Sequence, residues 1–198
     1  MKTLLAELRT SLLLTFVFVA LLCGAYPLAV WAGAQAMFPA KANGSLVLDR
    51  EGAVRGSAML AQNFNSDRYF QPRPSAAGTG YDATSSGGTN LGPTSQKLAD
   101  SIKAAVAAYR TANGLQADDA VPADAVTSSG SGLDPHISLA NAALQAARVA
   151  RVRRLPLDGV RALIEQNTAG RDFSVLGESG VNVLLLNLAL DRLPPAAP

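Results

Sequence analysis

The sequence predicts an α+β fold with a small sheet, preceded by one transmembrane helix. A long apolar segment near the amino terminus indicates the membrane helix, and two strand-like segments followed by three amphipathic segments indicate a mixed domain behind it. Strands and helices do not alternate strictly, which argues against a doubly wound sheet. We therefore expect a single extracytoplasmic domain with about three to four helices.

The apolar segment runs from Ser11 to Trp31 and contains no ionisable side chain except Cys23 and Tyr26. A helix of this length spans about 31 Å, which matches the hydrocarbon core of a bilayer. Basic residues precede the segment and Lys41 alone follows closely, so the positive-inside rule predicts a cytoplasmic amino terminus in the cell inner membrane. We expect residues 1–10 in the cytoplasm, 11–33 in the membrane and 34–198 as a periplasmic domain.

Two other interpretations of this segment remain open. A cleaved signal peptide is one, because Ala34-Gln35-Ala36 has the small residues of a cleavage site, although the apolar segment exceeds the roughly 7–15 residues of such signals. A lipoprotein signal is the other, and the bulky Leu22 before Cys23 argues against it. Cys23 is the sole cysteine, so the stability of the domain must come from packing rather than from disulfides.

The composition also bears on binding partners. The formal net charge is +2, and the basic residues do not alternate with aromatic residues as a stacking surface for bases requires. We therefore expect no nucleic-acid partner.

The first part of the domain combines a hairpin with a long loop. Leu46–Leu48 and Val54–Leu60 predict two short strands. Residues 71–94 are rich in Pro, Gly, Ser and Thr and show neither helical nor strand periodicity. Loops longer than about 12–15 residues are usually functional or disordered. Because Tyr69, Phe70 and Tyr81 can anchor this loop, we expect an ordered contact surface.

Three helical segments follow, recognised by apolar residues three or four positions apart. The defining residues are Leu98, Ile102, Val106 and Tyr109 in the first segment, Ile137, Ala140, Leu144 and Ala147 in the second, and Val160, Leu163 and Ile164 in the third. Thr94 is the expected N-cap of the first helix, and the third is expected between Pro156 and Gly170. An apolar segment from Val181 to Leu193 closes the domain.

A cluster of arginines follows the second helical segment. Its members are Arg148, Arg151, Arg153 and Arg154. Cations stabilise a helix C-terminus by about 0.3–1 kcal/mol each, which explains the cluster without a ligand. Binding of phosphate or of an acidic partner is the other interpretation and remains open.

Residues of a hydrolase triad occur close together, as Ser129, Ser131, Asp134 and His136. However, Ser131 lacks the Gly-x-Ser-x-Gly spacing of a nucleophile elbow and no strand precedes it. A simpler hypothesis is that Ser131 or Asp134 caps a helix that opens near Pro135, with His136 in its first turn. We therefore predict no catalytic residue and no metal site.

Motifs of nucleotide chemistry are also missing from the sequence. It has no Gly-x-x-x-x-Gly-Lys-Ser/Thr run to wrap phosphates, and no Asp-Lys-Thr-Gly sequence of the kind that ion-pumping ATPases phosphorylate. The chain is therefore not expected to be an ATP-driven motor itself.

A series of segments has the residues and the order of one known family. The segments are Gly56-Ser57, Gln62–Phe64, Tyr69–Ala76, Ser86–Thr94, Val121–Thr127, Ser129–Ser138, Gln145, Arg148–Ala150 and Val181–Leu184. They resemble the C subunit of the high-affinity potassium-transporting Kdp ATPase, a bacterial P-type pump complex. The largest departure is Thr89, where members often carry Ser.

The resemblance implies a non-catalytic accessory subunit of an ATP-driven potassium import complex. In this family's complex a channel-like A subunit selects potassium, a B subunit hydrolyses ATP and a small F subunit assists assembly. The C subunit is described as a catalytic chaperone that raises the ATP affinity of the B subunit. The implied partners are these three subunits and membrane lipid. No tightly bound cofactor is expected, ATP enters only through the B subunit, and potassium is the transported ion.

Gln145 matches the family glutamine that is proposed to touch nucleotide. ATP is cytoplasmic, whereas the predicted topology places the domain outside, so we favour an exposed helical role for Gln145 and an indirect effect on ATP affinity. A competing class is an independent membrane-tethered binding protein or hydrolase.

Two polar loops, Gln71 to Thr94 and Ser128 to His136, are the predicted contacts with the channel-like subunit. The partner-contact residues are Tyr69, Phe70, Arg73, Pro74, Ser75, Asn90, Gly92, Pro93, Ser131, Gly132, Asp134 and His136. Hydroxyls and carbonyls of these loops suit a hydrated alkali cation, but they also suit ordinary turns, which is the interpretation we favour.

Overall fold

The computed structural model of the chain describes residues 2–193. Helices and small sheets are both present in these residues, which confirms the α+β prediction. The chain divides after Leu46 into two compact units.

The first unit is dominated by one long helical segment. Its elements are α1 (Lys2–Phe18), a π-helical segment (Val19–Ala25), α2 (Tyr26–Met37) and the one-turn α3 (Pro39–Ala42). The helix Thr3–Met37 has a mean hydropathy of 2.3 over its most apolar 18 residues and is long and apolar enough to cross a membrane. It extends beyond the predicted span, 11–33, at both ends.

The π-helical segment has a local physical cause. Pro27 has no backbone N–H, and in an α-helix its ring clashes with the carbonyl four residues earlier, that of Cys23. Widening the preceding turn from the α to the π geometry relieves this clash. An added Cβ at Gly24 would meet no heavy atom within 4 Å, so this turn is open on that side.

The second unit combines two small sheets with four helices of nine or more residues. Its elements are, in order, β1 (Leu46–Leu48), β2 (Val54–Ser57), α4 (Gln96–Asn113), α5 (Ala123–Val126), β3 (His136–Ile137), α6 (Leu139–Arg153), α7 (Leu157–Gln166), β4 (Thr168–Ala169), β5 (Gly180–Asn182) and α8 (Val183–Asp191). Strand β1 pairs with β2, and the other sheet has the antiparallel order β3-β5-β4. In this sheet His136 lies opposite Asn182, and Thr168 lies opposite Val181.

The core lies where α6, α7 and α8 pack with β5. Val149, Val160, Val181 and Leu186 are fully buried there. Phe70 joins them with 0% exposure, although it belongs to a segment without regular structure. The prediction that the Phe70 side chain is a partner contact is therefore wrong. The region from residue 71 to residue 94 contains no helix or strand, as predicted, and Phe70 anchors the start of this loop in the core.

Three predicted boundaries of elements in the domain were wrong by small amounts. Strand β2 ends at Ser57 rather than at Leu60. The N-cap of α4 is Ser95 rather than Thr94, because the Ser95 hydroxyl accepts a hydrogen bond from Leu98 N at 3.4 Å. Helix α7 ends at Gln166 rather than near Gly170, because the next residues form β4.

The start of α6 was also predicted wrongly. Ser138 is its N-cap, and the Ser138 hydroxyl accepts from Asn141 N at 3.1 Å. His136 is therefore not in the first helical turn, and neither Ser131 nor Asp134 caps the helix. His136 and Ile137 instead pair with β5, a segment more than forty residues later in the sequence. The last apolar segment, predicted from Val181 to Leu193, divides between β5 and α8.

Candidate functional site

Helix α6 carries three buried polar side chains on one face. Asn141, Gln145 and Arg148 follow one another at spacings of four and three residues, so they project from the same side of the helix. Each is 1% exposed. The prediction that Gln145 is a surface residue is therefore wrong, because this face of α6 is turned into the domain.

The amide of Gln145 uses all of its hydrogen-bonding capacity within the domain. Its Oε1 accepts from Gln71 N and from Arg148 Nη2, both at 2.8 Å. Its Nε2 donates to Gln71 O at 3.0 Å and to Asn141 Oδ1 at 2.8 Å. Two donors and two acceptor positions are the full inventory of an amide side chain. A nucleotide could contact this amide only by displacing one of these partners.

Asn187 of α8 binds the backbone of Phe70, the residue next to Gln71, in the same way. Phe70 N donates to Asn187 Oδ1, and Asn187 Nδ2 donates to Phe70 O, both at 2.9 Å. Asn187 and Gln145 thus bind the backbones of two consecutive residues, Phe70 and Gln71, as a neighbouring β-strand would. We call these two side chains the amide clamp. Because the clamp satisfies the buried peptide groups of this segment, Phe70 can enter the core without strand pairing.

Arg148 binds the backbone of the residues that precede Phe70 and Gln71. Its Nε donates to Asn113 Oδ1 at 3.0 Å, and its Nη1 donates to Asp67 O at 2.6 Å and to Tyr69 O at 3.1 Å. Burial lowers the pKa of the Arg148 guanidinium below its ordinary value. The hydrogen bonds offset the cost of taking this cation out of water. Stabilisation of a helix C-terminus is therefore not the role of Arg148.

Arg153 contacts the same segment at Arg68 and Tyr69. Its Nε donates to Arg68 O at 2.6 Å, and its Nη2 forms an ion pair with Asp191 Oδ1 at 2.7 Å. The guanidinium lies 4.8 Å from the centre of the Tyr69 ring, within cation–π range. Two arginines of the predicted cluster therefore position residues 67–71, whereas Arg151 and Arg154 are exposed.

Helices α4 and α5 complete the buried network. The Tyr109 hydroxyl donates to Asn141 Oδ1 at 2.8 Å, and Asn141 Nδ2 donates to Asp124 Oδ2 at 3.0 Å. Asp124 Oδ1 accepts from the Ser138 hydroxyl at 2.8 Å. Burial, with the nearby Asp124 as a second cause, raises the pKa of the Tyr109 phenol. The phenol therefore remains a donor throughout the physiological pH range.

The long loop and residues 128–136 are joined by a second set of hydrogen bonds. The Ser75 hydroxyl donates to Gly132 O at 2.6 Å and accepts from Tyr81 N at 2.8 Å. Ser131 O accepts from Gly87 N at 2.9 Å and from the Ser86 hydroxyl at 3.0 Å. We call residues 69–94 and 128–136 together the loop surface. These bonds show that the two loops form one ordered surface.

Gly132 lies where the two loops approach most closely. Its φ of +68° is in the left-handed region, and an added Cβ would lie 2.7 Å from Ala77 N and 2.7 Å from Gly87 O. Glycine is required here for both reasons, because any side chain would push the loops apart.

Asp134 links the loop surface to β3. It accepts from His136 N at 3.0 Å and pairs with Arg73 Nη1 at 3.2 Å. The His136 side chain is the main cause that lowers the pKa of Asp134 below its ordinary 3.8, and the His136 backbone and Arg73 add to this, while partial burial opposes it. Asp134 is therefore a carboxylate at neutral pH.

This lowered pKa predicts a pH dependence of stability. The pKa of Asp134 is lower in the folded than in the unfolded chain, so the carboxylate stabilises the fold above about pH 4 and loses this contribution as the pH falls through the folded pKa. We expect the difference in unfolding free energy between the wild type and Asp134→Asn to narrow below about pH 4. Urea unfolding at several pH values measures it, and a difference that is constant down to pH 3 would contradict the assignment.

The residues of the suggested hydrolase triad do not come together as a triad. His136 Nδ1 lies 3.7 Å from Asp134 Oδ1. The Ser131 hydroxyl accepts from Leu133 N at 3.1 Å, and Ser129 is buried. Within residues 2–193, neither serine hydroxyl is hydrogen-bonded to His136. The geometry thus lacks the nucleophile–base contact that this chemistry needs.

The other predicted contact residues are accessible at the loop surface. Asn90, Gly92 and Pro93 are exposed ahead of α4, and Pro74 is partly buried. Gly92 O accepts from Ser95 N at 3.0 Å, at the turn into the helix. In the described part of the chain, no group of three or more His, Cys, Asp or Glu side chains could hold a metal ion.

Sequence reasoning missed Asn187, Asn141, Asn113 and Asp124. A signal was present for Asn187, which interrupts the apolar helix Val183-Leu184-Leu185-Leu186-Asn187-Leu188. A single amide within such a run indicates a buried hydrogen-bonding role. The others stand in ordinary amphipathic contexts and gave no comparable signal.

Comparison with protein families decides the relationship of this chain. The family model described as KdpC, the K+-transporting ATPase c chain, matches residues 8–192. The chain belongs to this family. The resemblance inferred from the loop segments is thus confirmed.

Individual KdpC relatives match over almost the whole chain. The potassium-transporting ATPase KdpC subunit of Rhodospirillum rubrum is 54% identical over 194 residues, which cover 98% of this chain and 99% of the relative. That of Mycobacterium bovis is 52% identical over 187 residues, covering 94% and 98%. That of Myxococcus xanthus is 52% identical over 201 residues, covering 100% and 93%. The similarity therefore includes both the apolar helix and the domain behind it.

Proposed function

We propose that this chain is a non-catalytic accessory subunit of an ATP-driven potassium import complex, and that its loop surface binds the channel-like A subunit. The buried network around the amide clamp is the observation that supports this proposal. Gln145, Asn187 and Arg148 bind residues 67–71 directly, and Asn141 and Asn113 bind Gln145 and Arg148 in turn. Each of these five side chains is 5% exposed or less. Ordering a loop before binding lowers the entropic cost of association. A preformed surface suits a docking role.

The ATP effect fits an indirect mechanism. The Gln145 amide has no free donor or acceptor, so in this chain it acts as a support of the loop surface rather than as a nucleotide ligand. A docked domain raises the ATP affinity of the B subunit if it binds the ATP-competent conformation of the pump more tightly, and its leverage equals that difference in affinity.

Direct potassium coordination by the loops has less support than docking. Carbonyl oxygens of Ser128, Ser131, Gly132 and Leu133 already accept hydrogen bonds from the protein. Each such bond occupies one of the two lone pairs of the oxygen and leaves less capacity for a cation. The loops therefore act as protein contacts.

The amide clamp makes this proposal testable. In Gln145→Leu and in Asn187→Leu the amides of Gln71 and Phe70 lose their acceptors, and we expect their hydrogen exchange to accelerate about 10- to 100-fold. Gln166→Leu is the matched control, because Gln166 is an exposed residue of α7. Hydrogen exchange of the full chain in detergent, read by mass spectrometry, measures the change.

The same variants distinguish direct nucleotide contact by Gln145 from structural support of the loop surface. Coexpression with the A, B and F subunits should allow the wild-type chain and Gln166→Leu to copurify with them and to support potassium-stimulated ATP hydrolysis. We expect Gln145→Leu and Asn187→Leu to lower the apparent ATP affinity by similar factors. A loss confined to Gln145→Leu would indicate direct nucleotide contact. A wild-type chain that neither copurifies nor alters hydrolysis would contradict the accessory role.

The periplasmic location of the domain follows from the proposed topology and has its own test. Ser174 is exposed, so a cysteine introduced there in a Cys23→Ser background is accessible to reagents. A membrane-impermeant thiol reagent should label it in cells whose outer membrane alone is permeable. Labelling only after lysis of the inner membrane would place the domain in the cytoplasm.

A further inference from the structure

A cleft of about 540 Å³ lies between the chain around Met59 and the residue 129–135 segment. Arg73 and Asp134 line it, with serines and apolar residues around them. Neither side chain of the amide clamp lines this cleft.

The guanidinium of Arg73 has few partners for a side chain in this position. Its Nη1 donates to Asp134 Oδ2 at 3.2 Å and its Nη2 donates to Ser128 O at 3.3 Å, both long hydrogen bonds. Its Nε is buried and has no hydrogen-bond partner among the described residues. Arg148, by contrast, makes four hydrogen bonds of 2.6–3.1 Å. An arginine has five N–H donors, so three of those on Arg73 have no protein acceptor among the described residues.

The charge of the cleft argues for an uncharged acceptor. Asp134 neutralises Arg73, and the remaining lining residues carry no charge. A free anion would gain little from such a balanced pair and would be repelled by the carboxylate. A carbonyl oxygen can accept from the guanidinium without disturbing the ion pair.

The rim of the cleft is apolar. Met59 is 64% exposed and Leu60 is 37% exposed, and both line the cleft. Methionine adapts its shape to different partners, and exposed apolar side chains next to a polar pocket are typical of protein contacts. The combination suits a peptide group that is followed by an apolar side chain.

We propose that this cleft receives an extended segment of the channel-like A subunit, which places a carbonyl oxygen at Arg73 and an apolar side chain against Met59 and Leu60. The proposal rests on the accessory role above and specifies the chemistry of the contact. Binding draws the guanidinium toward the incoming carbonyl, which gives its unused donors a partner.

A photo-crosslinking experiment on the assembled complex tests this contact. The full chain carries benzoylphenylalanine at position 59 and is coexpressed with the three other pump subunits. We expect irradiation to join it to one peptide of the A subunit, which mass spectrometry identifies, and a product with the B or F subunit alone would contradict the assignment. The same probe at Val54, which is 59% exposed on β2 and does not line the cleft, should give at least fivefold less of that product.

Substitution of Arg73 completes the test. Arg73→Lys keeps the charge opposite Asp134 but loses the planar set of donors, and we expect at least fivefold less crosslinking from position 59. Arg161→Lys, in an exposed ion pair on α7, is the control and should leave the yield unchanged. Equal yields in wild type and Arg73→Lys, or loss of the product in excess inorganic phosphate, would overturn the proposal. Copurification without any crosslink refutes this contact alone, whereas absence of copurification refutes the accessory role.

Discussion

Replacing Arg148 with Met should lower the free energy of unfolding by about 3–5 kcal/mol. Methionine fills much of the same volume but donates no hydrogen bond. The acceptors on Asn113, Asp67 and Tyr69 would then lose this donor, whereas Gln145 Oε1 would keep its hydrogen bond from Gln71 N. Each buried acceptor left without a partner costs about 1–3 kcal/mol, and entry of water recovers part of this.

Urea unfolding of the full chain in detergent measures the effect of Arg148→Met. Arg161→Met is the matched control, because the Arg161 side chain is 62% exposed and its ion pair with Asp158 lies at the surface. We expect the control to change the free energy by less than about 0.5 kcal/mol. Equal effects of the two substitutions would show that the network of Arg148 does not hold residues 67–71.

Gly132→Ala should destabilise the domain by about 2–4 kcal/mol. A φ of +68° is unfavourable for alanine, and the new Cβ would lie 2.7 Å from two backbone atoms of the facing loop. Backbone atoms cannot rotate away as a side chain can. We therefore expect the 86–87 segment to separate from Ser131 and the loop surface to lose affinity for its partner.

The neighbouring glycine provides the control for this substitution. An added Cβ at Gly130 would meet no heavy atom within 4 Å, and Gly130 does not have a left-handed φ. We expect Gly130→Ala to remain within about 0.5 kcal/mol of the wild type. Thermal or urea unfolding compares the two variants, and amide exchange at Gly87 reports directly on the loop contact. If Gly130→Ala were the more destabilising variant, the close approach at Gly132 would not be the limiting contact.

The sequence by itself determined the elements that depend on local pattern. Apolar residues three and four positions apart predicted α4 and α7 because a helix buries one face, whatever its neighbours are. The length and composition of the apolar segment predicted the amino-terminal helix for the same local reason. The loop segments predicted the family because specific turns require specific residues.

Only the tertiary structure decided the roles of the polar residues. Gln145 and Gln71 are 74 positions apart, and Asn187 and Phe70 are 117 positions apart, so no local pattern connects them. An amphipathic helix tolerates a glutamine or an arginine at the boundary between its apolar and polar faces. Whether that side chain is buried depends on which segment packs over it. His136 is a strand residue because it pairs with β5, more than forty residues later in the sequence. Periodicity records which face of an element is apolar, whereas the long-range packing that covers its polar residues determines what those residues bind.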